Sequence, residues 1–254
     1  MARVTIIFVL LLILIMGLGT VGFGITNAEE KPSLFSQALP GHVYQFPKDF
    51  YSHDDFRIEW WYYTGNLEEI ATSRPFGYQL TFFRVALDTI GSNPNPSKWK
   101  VGHIYFAHMT LSDIAGEKFY YFERINRKGI GNAGADSDRL MVWNEDWSLE
   151  GNNEEHLLEA VDSGTGIKLQ LAPEKELVIH GQDGISQKGS EVGNASHYFS
   201  YTRMKTSGTV LVDGKKYKVF GTSWMDHEYS SNQLNYELSG WDWFSLKLDD
   251  QTEL

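Results

Sequence analysis

Residues 221–231 read GTSWMDHEYSS, which sets Asp226, His227 and Glu228 side by side in a stretch otherwise suited to the inside of a sheet. Three chemistries fit such a cluster: a general acid, a metal site, or a buried polar knot that ties strands together. Successive side chains of an extended chain alternate sides, so Trp224, Asp226 and Glu228 point one way and Met225, His227 and Tyr229 the other. Asp226 and His227 then cannot readily share one metal ion, and no HExxH or other compact ligand spacing occurs in the chain. No metal site and no cofactor is expected. Two readings of the carboxylates stay open. One is an internal ion pair with an arginine such as Arg57, Arg84 or Arg203. The other is an aspartic acid in an aromatic, poorly solvated pocket, where desolvation raises its pKa and keeps a proton ready for transfer.

A second aromatic run, EWWYYTGNL (59–67), places Glu59, Trp61 and Tyr63 on one face and Trp60, Tyr62 and Thr64 on the other. Large rings on both faces mean that both are covered, one of them by a barrel lumen. Together these rings suggest a large apolar cavity, the usual design for capturing a greasy small molecule. Trp60, Trp61, Tyr63 and His108 are therefore candidate binding residues, although a lone histidine among apolar neighbours, as in YFAHMTLSD, also reads as a hydrogen-bonded core residue. His197, ahead of YFSYTR, shares the aromatic setting of the 224–229 stretch. The remaining histidines, His180 and His227 among them, have no ligand spacing and are given no role. No nucleophile elbow, P-loop or dinucleotide fingerprint is present.

The elements that must position these residues are strands. From residue 41 onward the dominant period is two, in runs rich in aromatic and β-branched residues at 56–67, 76–87, 101–111, 118–125, 139–151, 166–172, 197–204 and 215–229. Turns such as SNPNPS, NAGADSD and VDGK separate them. Without a sustained helical stripe, an all-β antiparallel barrel or sandwich is favoured over a parallel βαβ architecture. The closing GWDWFSLKLDDQTEL holds a strand, a DDQT turn and only two residues of a returning strand, so residues 231–254 read as the start of a second, incomplete β domain after a first one over 42–230.

Composition bounds the function. With 42% hydrophobic and 14% aromatic residues the 254-residue chain can bury a substantial core, while a formal charge of −11 with no basic cluster repels phosphate backbones. Nucleic acid is not expected as a partner. The apolar run over 4–25, followed by TNAEE, reads as a signal peptide over 1–28 or an uncleaved anchor, so the body is exported to the periplasm or cell surface. No cysteine is available for a disulfide or a lipid anchor there.

Six blocks, IEWWYYTGNL, FGYQLTFFR, AHMTLSD, GISQKG with NASHYFSYTRM, GTSWMDHEYSS and GWDWFSLKLDD, resemble in order the family of carotenoid 1,2-hydratases and secreted AttH proteins, from about residue 42 to the end. The resemblance implies two lipocalin-like β domains, a hydrophobic lipid or isoprenoid ligand and association with a membrane ABC transporter. For the hydratases it implies addition of water to an isoprenoid C=C bond, with an aspartic acid as proton donor assisted by a histidine, a tryptophan and a tyrosine. Carried over by position, the acid falls on Asp226 and the histidine on His197. Phe199 stands where the hydratases have the tryptophan and Trp224 where they have the tyrosine. These, with Glu228, join the expected binding residues. A lipid-binding protein and a hydratase both remain open, and the changes at Phe199 and Trp224 tilt toward binding.

Overall fold

The computed structural model describes residues 35–87, 97, 101–128, 131–182, 184–190, 193–230, 240 and 242–254. The expected signal segment, 1–28, and residues 231–239 lie outside them. Apart from one 3₁₀ turn at Lys48–Phe50, every regular element described is a strand. In chain order these are β1 (Ile58–Glu69), β2 (Pro75–Ala86), β3 (His103–Asp113), β4 (Lys118–Arg127), β5 (Ala133–Ala135), β6 (Leu140–Asn144), β7 (Trp147–Gly151), β8 (His156–Asp162), β9 (Thr165–Pro173), β10 (Val178–Ile179), β11 (Ile185–Gln187), β12 (Ala195–Val212) and β13 (Lys215–Ser230). They form one antiparallel sheet in the order β4-β3-β2-β1-β13-β12-β9-β8-β7-β6-β5, with β10 and β11 paired to β12, and it curls into a nearly closed barrel. No helix among the described residues is long and apolar enough to cross a membrane.

The expected all-β barrel is present, with local differences. The run over 139–151 is a hairpin, β6–β7, because Glu145 takes a left-handed φ of 59° and turns the chain after Asn144. The HLLEAVD segment, whose Leu, Glu and Ala content gives little strand signal, forms β8 by pairing on both edges with β7 and β9. The VDGK turn joins β12 and β13 with Asp213 at φ 50° and Gly214 at φ 81°, the two positive angles of a tight hairpin turn.

Closure of the barrel is a side-chain matter. Arg124 on β4 donates from Nη1 to the Asn144 carbonyl at 3.1 Å, pairs with Asp146 and lies 4.3 Å over the Trp147 ring. Asn144 in turn donates from Nδ2 to the Tyr105 carbonyl at 3.2 Å and accepts from Asn126 at 2.8 Å. These bonds fasten the β3–β4 edge to β6 where no ladder does. The interior is solid. Trp61, Phe76, Phe82, Phe199, Met109 and Trp147 are among the largest side chains with under 2% exposure, and they belong to one cluster of buried residues. The expectation of a hollow lumen is corrected over this cluster: Trp61 and Tyr63 are packed within it, and Trp60 and Tyr62 lie on the outer face.

Arg124→Ala should therefore lower unfolding stability by about 2 kcal/mol, and hydrogen exchange should accelerate first at the β6 and β7 amides. Exchange that rises evenly over the barrel would show that Arg124 does not hold the seam.

Candidate functional site

Two polar clusters lie back to back across the wall made by β1, β13 and β12. Directly opposed residues of antiparallel strands share a face. Trp61 opposes His227 and Tyr63 opposes Met225, and all four face the core. His197 opposes Tyr229 and Phe199 opposes His227, which puts them on the same inner side. Tyr62 and Ser200 flank Asp226, and Trp60 and Tyr198 flank Glu228, on the outer side. From Ser223 to Ser230 both faces of β13 are buried.

The inner cluster is an ion-pair network centred on Glu59, which is fully buried. Arg84 Nε meets Glu59 Oε2 at 3.0 Å, while His53 Nδ1 and His227 Nε2 meet Oε1 at 2.8 and 2.9 Å. Asp49 accepts from Tyr229 at 2.8 Å and contacts His42 Nε2 at 2.8 Å, and the Tyr229 and His53 rings stack at 3.6 Å. Burial alone would raise both carboxyls, but the surrounding cations and donors outweigh it and hold Asp49 and Glu59 well below the usual range. His53 is the counterpart: burial opposes its charge, yet Asp49 and Glu59 lift its pKa to about 9. His53, Glu59 and His227 bring metal-ligating atoms within 4.8 Å of one another. Both Glu59 oxygens are already engaged by Arg84 and the two imidazoles, so the cluster fits a hydrogen-bonded ion network.

The outer cluster has a different balance. Asp226 is 3% exposed. Its Oδ1 accepts from Trp224 Nε1 at 2.6 Å and from the Ser200 hydroxyl, which itself lies 2.7 Å from His180 Nε2. Among the described residues no cation reaches Asp226. The nearby Lys188 goes to Glu228 at 2.8 Å, where Ser196 also donates. Burial pushes the Asp226 carboxyl up to about 7, against the lowering effect of Ser200 and Trp224, and also raises Glu228. Rings wall the acid in: Trp243 lies 5.0 Å from Tyr62 and 6.2 Å from Trp224 and donates to the Tyr198 hydroxyl at 3.3 Å. Beyond Trp243 the chain folds into a small turn with a Lys247–Glu253 bridge, fastened to the barrel by Lys247 to Thr222 at 3.1 Å and Arg203 to Glu253 at 2.6 Å. An open cleft of about 1140 Å³ adjoins this cluster and is lined by Phe46, Leu177, Val178, His180, Tyr201 and Trp224, among others.

The structure thus gathers Asp226, Glu228, Trp224 and Trp60 on the outer face and sets His197, Phe199, Trp61 and Tyr63 on the inner one. Asp226 and His197 are not brought together: an odd number of residues separates their registers. His197 instead packs 4.4 Å from His42 and 5.0 Å from Tyr229, and burial with the nearby His42 lowers its pKa to about 4. His108 is on the outer face in the row of Asp226, Tyr62 and Thr81, about 14 Å from the acid by strand spacing. Its ring meets Phe83 and Tyr121 at 5.5 and 6.0 Å. Of the arginines considered as partners, Arg57, Arg84 and Arg203, two are engaged elsewhere, Arg84 with Glu59 and Arg203 with Glu253. Sequence reasoning missed His180, Ser200 and Lys188. Ser196, Tyr198 and Ser200 alternate with the core residues of β12, which is a signal only once the register against β13 is known.

A family model described as AttH-like matches residues 37–254. The chain belongs to the AttH-like family. The crystal structure of an AttH protein from Nitrosomonas europaea is similar to this AttH-like chain at 34% identity and a TM-score of 0.77, over 86% of this chain and 65% of that one. Kievitone hydratase from Nectria haematococca aligns at 13% identity and a TM-score of 0.48, over 79% of this chain and 56% of that one. The AttH-like chain therefore spans less than two thirds of the length of either protein. No curated protein matches it.

The inner network should show in the pH dependence of stability. His53 has a raised pKa in the folded state, so its contribution is complete below the ordinary histidine value of 6.5 and fades as pH rises through about 9. His53→Gln should remove that decline from urea unfolding measured across this window. Glu59→Gln, which leaves Arg84 buried without its carboxylate, should cost roughly 3 kcal/mol or more.

Proposed function

We propose that this AttH-like protein is exported, binds a hydrophobic lipid or isoprenoid against the aromatic wall around Asp226, and cooperates with a membrane ABC transporter. The apolar N-terminal run supports export, and the solid barrel interior moves the ligand from the lumen to the outside of the wall. The observation that carries the reading is Asp226 itself. A carboxyl group buried among Trp224, Tyr62, Tyr198 and Trp243, without a cation of its own, keeps its proton up to about pH 7. In that form it can donate a hydrogen bond to the polar end of a ligand whose chain lies on the rings and in the adjoining cleft.

The same proton favours a second reading, hydration of an isoprenoid alkene. Asp226 would give its proton to one alkene carbon, the ring faces of Trp224 and Tyr62 would stabilise the cation at the other, and water would add there and release a proton. Phe199 and His197, on the far side of the wall, take no direct part.

Mass spectrometry of lipids extracted from the purified protein tests the site, and an apolar chain-bearing molecule should be recovered. Asp226→Asn separates the readings. A carrier should keep the ligand at reduced affinity, whereas a hydratase should keep binding and lose turnover of the recovered alkene. Recovery of only polar molecules, with an unchanged profile in the variant, would exclude both. Stability gives a further check. The folded-state pKa of Asp226 is raised from 3.8 to about 7, so its carboxyl increasingly destabilises the fold as pH climbs through that interval. The change amounts to roughly 4 kcal/mol, and Asp226→Asn should abolish it.

A further inference from the structure

The geometry points to His180 as the proton partner of Asp226: His180, Ser200 and Asp226 form a relay that carries protons between the open cleft and the buried acid. This inference rests on the reading of Asp226 as the working acid of the site. His180 lines the cleft, while Asp226 and Ser200, respectively 3% and 0% exposed, stand behind it. His180 Nε2 lies 2.7 Å from Ser200 Oγ, and that hydroxyl bonds Asp226 Oδ1, so two hydrogen bonds join an imidazole at the cleft to a carboxyl in the wall. The imidazole is held in place by stacking on Tyr198, with centroids 4.1 Å apart and planes 27° from parallel.

The other groups facing Asp226 do not serve. From β1 comes Tyr62 and from β12 Tyr198, phenols that burial pushes far above neutrality. Along its own strand lie Trp224, whose indole N–H only donates, and Glu228, which is tied to Lys188 and Ser196. His180 is the one imidazole among them and it lines the cleft, with burial and then Lys188 lowering its pKa from the ordinary histidine value. Neutral His180, with its proton on Nε2, takes a proton from the cleft on Nδ1 as the Nε2 proton passes to Ser200 Oγ and that hydroxyl passes its own to Asp226 Oδ1. The imidazole is left neutral with its proton on Nδ1. One proton moves in, and the reverse sequence moves one out. In hydration the same relay would restore the proton that Asp226 gives to the alkene.

The test follows the carboxyl proton directly. The infrared band of protonated Asp226, identified by its loss in Asp226→Asn, is watched as wild-type protein is mixed into deuterated buffer near pH 7. His180→Ala should slow exchange of that proton about tenfold or more, and added imidazole, which the cleft admits, should restore it. Ser200→Ala should slow it equally and not respond to imidazole. An unchanged rate in His180→Ala, or a slowed rate that imidazole does not restore, overturns the relay while leaving Asp226 as the acid. If Asp226→Asn removes no titrating band, the reading beneath the relay falls as well.

Discussion

The alternation of side chains along β13 is the constraint on which the rest depends. Between Ser223 and Ser230 both faces of this strand are buried, so each polar residue must be satisfied on its own side without help from its sequence neighbour. His227 joins Glu59, Arg84 and His53, where two carboxylates meet an arginine and a raised histidine and the charges cancel. Asp226, one residue earlier, enters a wall of rings with two neutral donors and no cation. Desolvation disfavours its charge by more than the Ser200 and Trp224 donors offset. The same strand thus builds an ionised knot inside and a protonated acid outside.

This division of labour explains why the barrel can be solid. Its interior does structural work, with Trp61, Phe199 and Trp147 filling the space and Arg124 fastening the seam at Asn144. The proposed site lies on the outer surface, where the β12–β13 wall is overlaid by Trp243 and the turn anchored through Glu253. The cleft beside it is bounded by Trp224, which bonds Asp226, and by His180, which bonds its other partner Ser200.

Much of the fold was legible in the sequence because a period of two, aromatic content and turn residues are local signals. The long strands were found with bounds close to those observed, and the opposite orientation of Asp226 and His227 followed from periodicity alone. Tertiary pairing was not legible. β8, with Leu, Glu and Ala, is a strand only because β7 and β9 flank it, and β12 runs far beyond the HYFSYTRM segment for the same reason. Aromatic density signalled burial correctly but could not distinguish a cavity from its own filling. The site suffered most from missing register. Once Ser200 opposes Asp226 and His197 opposes Tyr229, parity alone puts His197 on the wrong side of the wall, and His180 reaches the acid from a two-strand edge that no spacing in the sequence marks.

The most direct test of the account is the ionisation of Asp226. A pH series of carboxyl ¹³C shifts in aspartate-labelled protein, with the resonance assigned by comparison with Asp226→Asn, reads it without any ligand. The account predicts an inflection near pH 7. An inflection at or below the ordinary aspartate value of 3.8 would mean that the wall solvates or pairs the carboxylate, and the protonated acid at its centre would have to be abandoned.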